Sequence, residues 1–209
     1  MASSTFKYLK NSAVVNYRIS GSKFIGYSFP ASTIEEFENF LKEVKLEHYT
    51  ATHHCTARIM NPWDLNEFSQ DDGEPNGTAG LPILNAMRSE NICNACIIVV
   101  RYYGGTKLGK SGLIDAYGHT AKLAIEDSEL GTMKTGISVI AEFSYDQKKT
   151  IDLLLTQDKF TLANANYMEN ITYEIHTETK NGLELVTELE KLSYLDIKIK
   201  EEKNILIYS

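Results

Sequence analysis

Two periodicities take turns along the chain. Val14–Ile19 and Lys23–Phe29 are rich in β-formers on either side of Ser20-Gly21-Ser22, which predicts a hairpin. Ile34, Phe37, Phe40, Leu41 and Val44 then recur at helical spacing. Ser32, with Glu35 three residues on, carries the signature of a capping box, so a helix is expected to begin there and lay one apolar face on a sheet. Thr52–Met60 reads as the next strand. Asn61–Gly80 is polar and turn-rich, long for a plain connection. Helix Leu81–Ser89 follows, with Pro82 in its first turn, where a missing N–H is tolerated. Ala95–Arg101 is β-branched and almost wholly apolar, a strand buried on both faces. After a glycine-rich stretch, Ile114, Tyr117, Ala121, Ala124 and Ile125 mark one side of a helix.

Gly131–Gly136 reads as a linker, and beyond it the alternation becomes shorter and more regular. Strand Ile137–Tyr145 leads into helix Asp146–Phe160, whose inner face is Ile151, Leu154 and Leu155. Strands Leu162–Met168 and Ile171–Thr177 form a hairpin around Glu169-Asn170. Helix Leu183–Tyr194 and strand Ile197–Tyr208 complete the pattern, the strand interrupted around Glu201–Asn204. The order βαββαβ predicts a ferredoxin-like unit. The expected class is α+β, with domains at 1–130 and 136–209.

Composition narrows the picture without changing it. Hydrophobic residues make up 43 % and charged residues 23 % of the chain, as in ordinary globular proteins. The net charge of −7 divides into −3 over residues 1–130 and −4 over 131–209. Neither half is a basic nucleic-acid platform, which leaves room only for a local patch. The longest apolar run, Ala95–Val100, falls far short of the roughly 20 residues of a membrane span. Cys55, Cys93 and Cys96 cannot all pair within one chain, which suits a reducing compartment. A cytoplasmic protein without a membrane segment is expected.

Three segments carry candidate chemistry. Gly104, Gly105, Gly109 and Gly112 follow Arg101 and lead into a helix N-terminus, where free N–H groups and the dipole favour an anion. Lys107 and Lys110 add positive charge there. The spacing Gly104, four residues, Gly109-Lys110-Ser111 also matches a nucleotide-binding P-loop. Against that stands the absence of enough βα units in residues 1–130 for a doubly wound parallel sheet. Asp71, Asp72 and Glu74 place three carboxylates in four residues, a set that could hold a cation, share a proton or simply form a solvated turn. His53, His54 and Cys55 lie in one strand, with His53 and Cys55 on one face and His54 on the other. They could line a polar pocket, act as a Cys–His pair, or combine with Cys93 and Cys96 as metal ligands.

Taken in order, Gly21-Ser22-Lys23-Phe24-Ile25-Gly26, Thr52-His53-His54-Cys55, Asp71–Gly80 and Arg101-Tyr102-Tyr103-Gly104-Gly105 to Gly112 resemble the IMPACT family in its bacterial, YigZ-like branch. The resemblance covers about residues 10–127. It implies a first domain of the ribosomal protein S5 domain-2-like fold and a smaller second domain similar to the last domain of elongation factor G. It also implies a non-enzymatic, translation-associated regulator that binds RNA or protein. Partners would be the ribosome, RNA or a translation-regulating protein, with a phosphate-like anion as ligand; no cofactor or resident metal is expected. The expected ligand-binding residues are His53, His54, Asp71, Asp72, Glu74, Arg101, Tyr102, Gly104, Gly105, Lys107 and Gly109. The competing expectation is a hydrolase or phosphoryl-transfer enzyme that uses His53 or Cys55 with the Asp71/Asp72/Glu74 cluster. Lys110 and Ser111 stand where the family usually has glycine or alanine, which marks the P-loop match as accidental; Asp115 stands where many members have arginine, which removes a positive charge from that edge and weakens phosphate binding there.

Overall fold

The computed structural model describes residues 5–192 and 197–208. The chain divides into two compact units, Phe6–Thr132 and a second formed by Met133 onward with the first five residues.

Strand β1 (Thr5–Leu9) belongs to the first unit from Phe6 on and lies beside the approach to the central strand, where Lys7 bridges Ile92 in parallel. The main sheet is built from β2 (Ala13–Ile19), β3 (Ser22–Pro30), β4 (His53–Met60), β5 (Asn66–Gln70) and β6 (Ala95–Tyr102) in the order β2-β3-β6-β4-β5. Every pairing in it is antiparallel. β6 is buried on both faces because it is central and helices cover both sides, not because the sheet is parallel. One face receives α1 (Ile34–Glu47), whose Val44 packs with Ile25, Tyr27, Ile98 and Val100. The other receives α2 (Gly80–Ser89) and α3 (Gly109–Glu126). Gly26 faces α3 so closely that a Cβ there would lie 2.9 Å from the Thr120 methyl.

Several local expectations shift by a physical cause. The capping box of α1 is Thr33–Glu36, not Ser32–Glu35: Thr33 Oγ1 accepts from the Glu36 amide at 3.2 Å, and the Glu36 carboxylate accepts from the Thr33 amide at 3.1 Å. That register turns Phe37 and Val44 inward and leaves Ile34 half exposed. The predicted loop 61–80 contains β5, a polar edge strand with no alternating apolar face to betray it. Its Phe68 lies under the guanidinium of Arg58 at 5.1 Å. Gly131–Gly136, the predicted linker, does contain the division between the units at Thr132/Met133, but it is an ordered part of one unbroken strand, β7 (Leu130–Phe143). Its glycines make room for side chains: a Cβ at Gly131 would meet the Tyr8 ring at 2.4 Å, and one at Gly136 would meet Ile207 at 2.6 Å.

The second unit continues with a 3₁₀ turn (Tyr145–Gln147), α4 (Lys148–Leu154), β8 (Thr161–Tyr167), β9 (Ile171–Glu178), α5 (Thr179–Lys191) and β10 (Lys198–Tyr208). β9 lies between β7 and β8, and β10 pairs with β7, all antiparallel. The strand β10 is continuous: Glu201–Asn204, the expected interruption, pairs regularly with β7, and the irregularity is a bulge between Ile199 and Glu201. α4 is much shorter than the helix Asp146–Phe160 read from the sequence. The predicted helix end at Tyr194 lies outside the described residues. The core gathers Val139, Phe143, Ile151, Tyr173, Ile175 and Leu185. Among the described residues, no helix is long and apolar enough to cross a membrane.

Candidate functional site

The site begins with a row of side chains across three strands. Register pairs Phe24 of β3 with Arg101 of β6, and Arg101 with His53 of β4. All three therefore share the face that carries α2 and α3. Arg101 is 5 % exposed, with its guanidinium 5.5 Å from the Phe24 ring centroid and 5.4 Å from that of Tyr103.

A buried guanidinium requires a counter-charge, and Glu74 supplies it. Arg101 Nη1 donates to Glu74 Oε1 at 2.6 Å, with the side chains 6 % and 4 % exposed. Tyr117 of α3 donates its hydroxyl to the same oxygen at 2.8 Å. His53 Nε2 stands 3.8 Å from it, while Nδ1–H donates to the Asp72 carbonyl at 2.7 Å. The last assignment follows from the acceptor, since a carbonyl oxygen cannot donate. Arg101 Nη2 reaches Ser22 Oγ at 3.4 Å, while Arg101 Nε has no hydrogen-bond partner among the described residues.

Glu74 is delivered by a loop whose other two carboxylates face the backbone. Asp71 accepts from the amides of Gly77 at 2.8 Å, Ala79 at 3.0 Å and Gly80 at 2.8 Å, and so caps the start of α2. Asp72 accepts from the His54 amide at 2.7 Å and adopts φ 45°. The three carboxylates are thus a scaffold and one site residue, not a shared cluster. Among the described residues, no group of three or more His, Cys, Asp or Glu side chains is placed to hold a metal ion.

The glycine segment is equally divided. Gly104 packs backbone to backbone on the β2–β3 turn, with its amide donating to Ser22 Oγ at 3.2 Å. Gly105 and Gly109 take φ of +84° and +72°, which glycine adopts freely. Gly109 opens α3, which has no side-chain cap at Leu108. Because β6 pairs antiparallel with both neighbours, the P-loop spacing occurs outside the parallel-sheet setting that motif belongs to.

Above Arg101 and Glu74 opens a pocket of about 360 Å³, walled by Pro75, Tyr103, Lys107, Leu108, Gly109, Lys110 and Leu113. Of the residues expected from sequence, it collects Glu74, Arg101, Lys107 and Gly109, with His53 adjoining through Glu74. His54 and Tyr102 point to the opposite face. There the Tyr102 hydroxyl lies 2.9 Å from His48 Nδ1, and His54 Nε2–H donates to the His48 carbonyl at 3.1 Å. Burial lowers the pKa of His54. Tyr103, Pro75, Leu108 and Leu113 are pocket residues outside the expected ligand set, and Tyr117, expected on the inner side of its helix, reaches Glu74. Leu113 and Tyr117 lie on α3, while Pro75, Tyr103 and Leu108 lie in the connecting segments, and nothing local distinguishes any of them from packing residues.

The thiols are poor candidates for nucleophiles at neutral pH. Cys55 donates its S–H to the Asp71 carbonyl at 3.0 Å, and burial pushes its pKa well up. Burial likewise raises Cys93 to about 11 and Cys96 to about 12.

The Impact N-terminal domain profile matches residues 20–125, the stretch that holds every residue of this site. The chain is 34 % identical over 164 residues to IMPACT family member YvyE of Bacillus subtilis (strain 168), covering 78 % of this chain and 75 % of the relative. It is 33 % identical over 151 residues to IMPACT family member YigZ of Escherichia coli (strain K12), covering 71 % and 74 %. A crystal structure of a hypothetical protein superposes with a TM-score of 0.64 at 27 % identity, covering 93 % of this chain and 96 % of that one.

Proposed function

The chain belongs to the IMPACT family, and on that premise we propose that it is a translation-associated regulatory protein that binds RNA or protein through an anion-accepting pocket on its first unit. We also read that unit as S5 domain-2-like and the second as ferredoxin-like; the βαββαβ order with β7 between β9 and β10 supports the latter. The observation that carries the functional reading is the set of cations around one opening. Lys107 and Lys110 stand beside the uncapped start of α3, over the buried guanidinium of Arg101. Neither lysine forms an ion pair among the described residues. Placed there, an anion meets helix N–H groups and two free ammonium groups at once.

The carboxylates support binding rather than hydrolysis. Asp71 and Asp72 are occupied by backbone amides, and Glu74 is held by Arg101 and Tyr117, which leaves no free carboxylate pair for acid–base work. Ribosomes or RNA should associate with the purified protein at low salt and be released as salt rises. Lys107→Ala should weaken that association and reduce the slope of log K against log salt by about 1. If the wild-type protein ignores RNA and ribosomes at 50 mM salt or below (on the order of the low end of the usual titration range), the RNA-binding reading fails.

A further inference from the structure

We infer that the pocket over Arg101 receives a single phosphorylated nucleotide unit, its base against the open side of the Tyr103 ring and its phosphate between Lys107, Lys110 and the first turn of α3. The inference rests on the anion-accepting reading and adds the class of ligand.

The charge comes first. Three cations, Arg101, Lys107 and Lys110, line the opening with one carboxylate, Glu74, which is itself bound by the guanidinium. The balance is positive on a unit whose overall charge is negative, so the site is a local feature. Arg101 Nε is a buried N–H with no hydrogen-bond partner among the described residues, in a side chain 6 % exposed that forms part of the pocket wall. Buried donors are rarely left unsatisfied, and this one belongs to a side chain that walls the opening.

The apolar wall decides between a bare anion and something larger. Pro75, Leu108, Leu113 and the Tyr103 ring line the same opening, and inorganic phosphate would leave them unused. Tyr103 is 46 % exposed although the Arg101 guanidinium lies over its ring. Its backbone is fixed, with the amide donating to Thr52 Oγ1 at 3.1 Å. A fixed, half-exposed aromatic beside cations is the arrangement on which bases stack in single-strand binding proteins. The volume of about 360 Å³ lies at the small end of ligand pockets, room for one unit rather than a run of them.

Calorimetric titration of the full chain separates the possibilities. The ligands are inorganic phosphate, a nucleoside, the four nucleoside 5′-monophosphates, and a short RNA with either a 5′-phosphate or a 5′-hydroxyl. At least one monophosphate, or the 5′-phosphorylated RNA, should bind about tenfold or more tighter than phosphate and nucleoside do. Tyr103→Ala should remove that advantage while Tyr103→Phe keeps it, with unchanged circular dichroism in both. Preference for the phosphorylated RNA identifies an RNA end as the source, and preference for the monophosphate identifies the free nucleotide. Phosphate binding as tightly as every nucleotide would overturn the nucleotide inference and leave the anion-accepting reading standing. Unchanged nucleotide affinity in Tyr103→Ala would do the same. If no anion binds at all, both readings fall.

Discussion

Replacing Arg101 with methionine should cost the first unit about 3–5 kcal/mol of stability. The pair it forms with Glu74 is almost fully removed from water, at 6 % and 4 % side-chain exposure. The substitution therefore leaves a buried carboxylate whose remaining strong partner is the Tyr117 hydroxyl. An exposed ion pair of the same length would change stability by under about 1 kcal/mol. Adding Glu74→Gln to the variant should restore much of the loss, because the uncompensated charge is gone and the amide oxygen still accepts from Tyr117. Urea unfolding of the two single variants and the double variant tests this as a cycle. Strictly additive losses would mean that the two side chains do not depend on each other, contrary to the geometry.

Gly104→Ala should be still more damaging. A Cβ at this position would lie 1.9 Å from the Gly21 carbonyl carbon and 2.3 Å from the Ser22 nitrogen. Both obstacles are backbone, so relief requires the β2–β3 turn and the start of the glycine segment to separate. That would also break the Gly104 amide bond to Ser22 and disturb the support of Arg101. Losses above about 4 kcal/mol, or failure to fold, are expected. Gly105→Ala is the matched control. It has nothing within 4 Å of its would-be Cβ, and its cost is confined to the φ of +84°, about 1–2 kcal/mol. Thermal denaturation of the pair distinguishes close approach from backbone strain. Equal losses would contradict the packing.

The sequence made the architecture legible wherever one residue type repeats on one face. The helical stripe through Phe37 and Val44 and the apolar run of β6 announced themselves. β5 did not, because Asn66–Gln70 is a polar edge with a lone phenylalanine on the Arg58 guanidinium. Gly131 and Gly136 misled in the opposite direction: glycine signals flexibility locally, and only a distant Tyr8 or Ile207 shows that it is there for space. Glu74 of the acidic segment and Arg101, Lys107 and Gly109 of the glycine segment do meet at one pocket, but the division of labour within each segment is not legible in the sequence. Asp71, Asp72 and Glu74 are chemically alike in the sequence. Only the fold shows that the first two hold amides while the third faces Arg101. Tyr102 and Tyr103 are adjacent and identical, yet the first, at the end of β6, faces His48 and the second, just past the strand, lines the pocket.

The cysteines carry a practical consequence. All three lie in the first unit, each fully buried, and none occurs from Met133 onward. A thiol reagent in solution meets no thiol until that unit opens, and nothing in the second unit competes for the label. The chain therefore carries a built-in clock for the opening of one unit alone, with no engineered probe needed to read it.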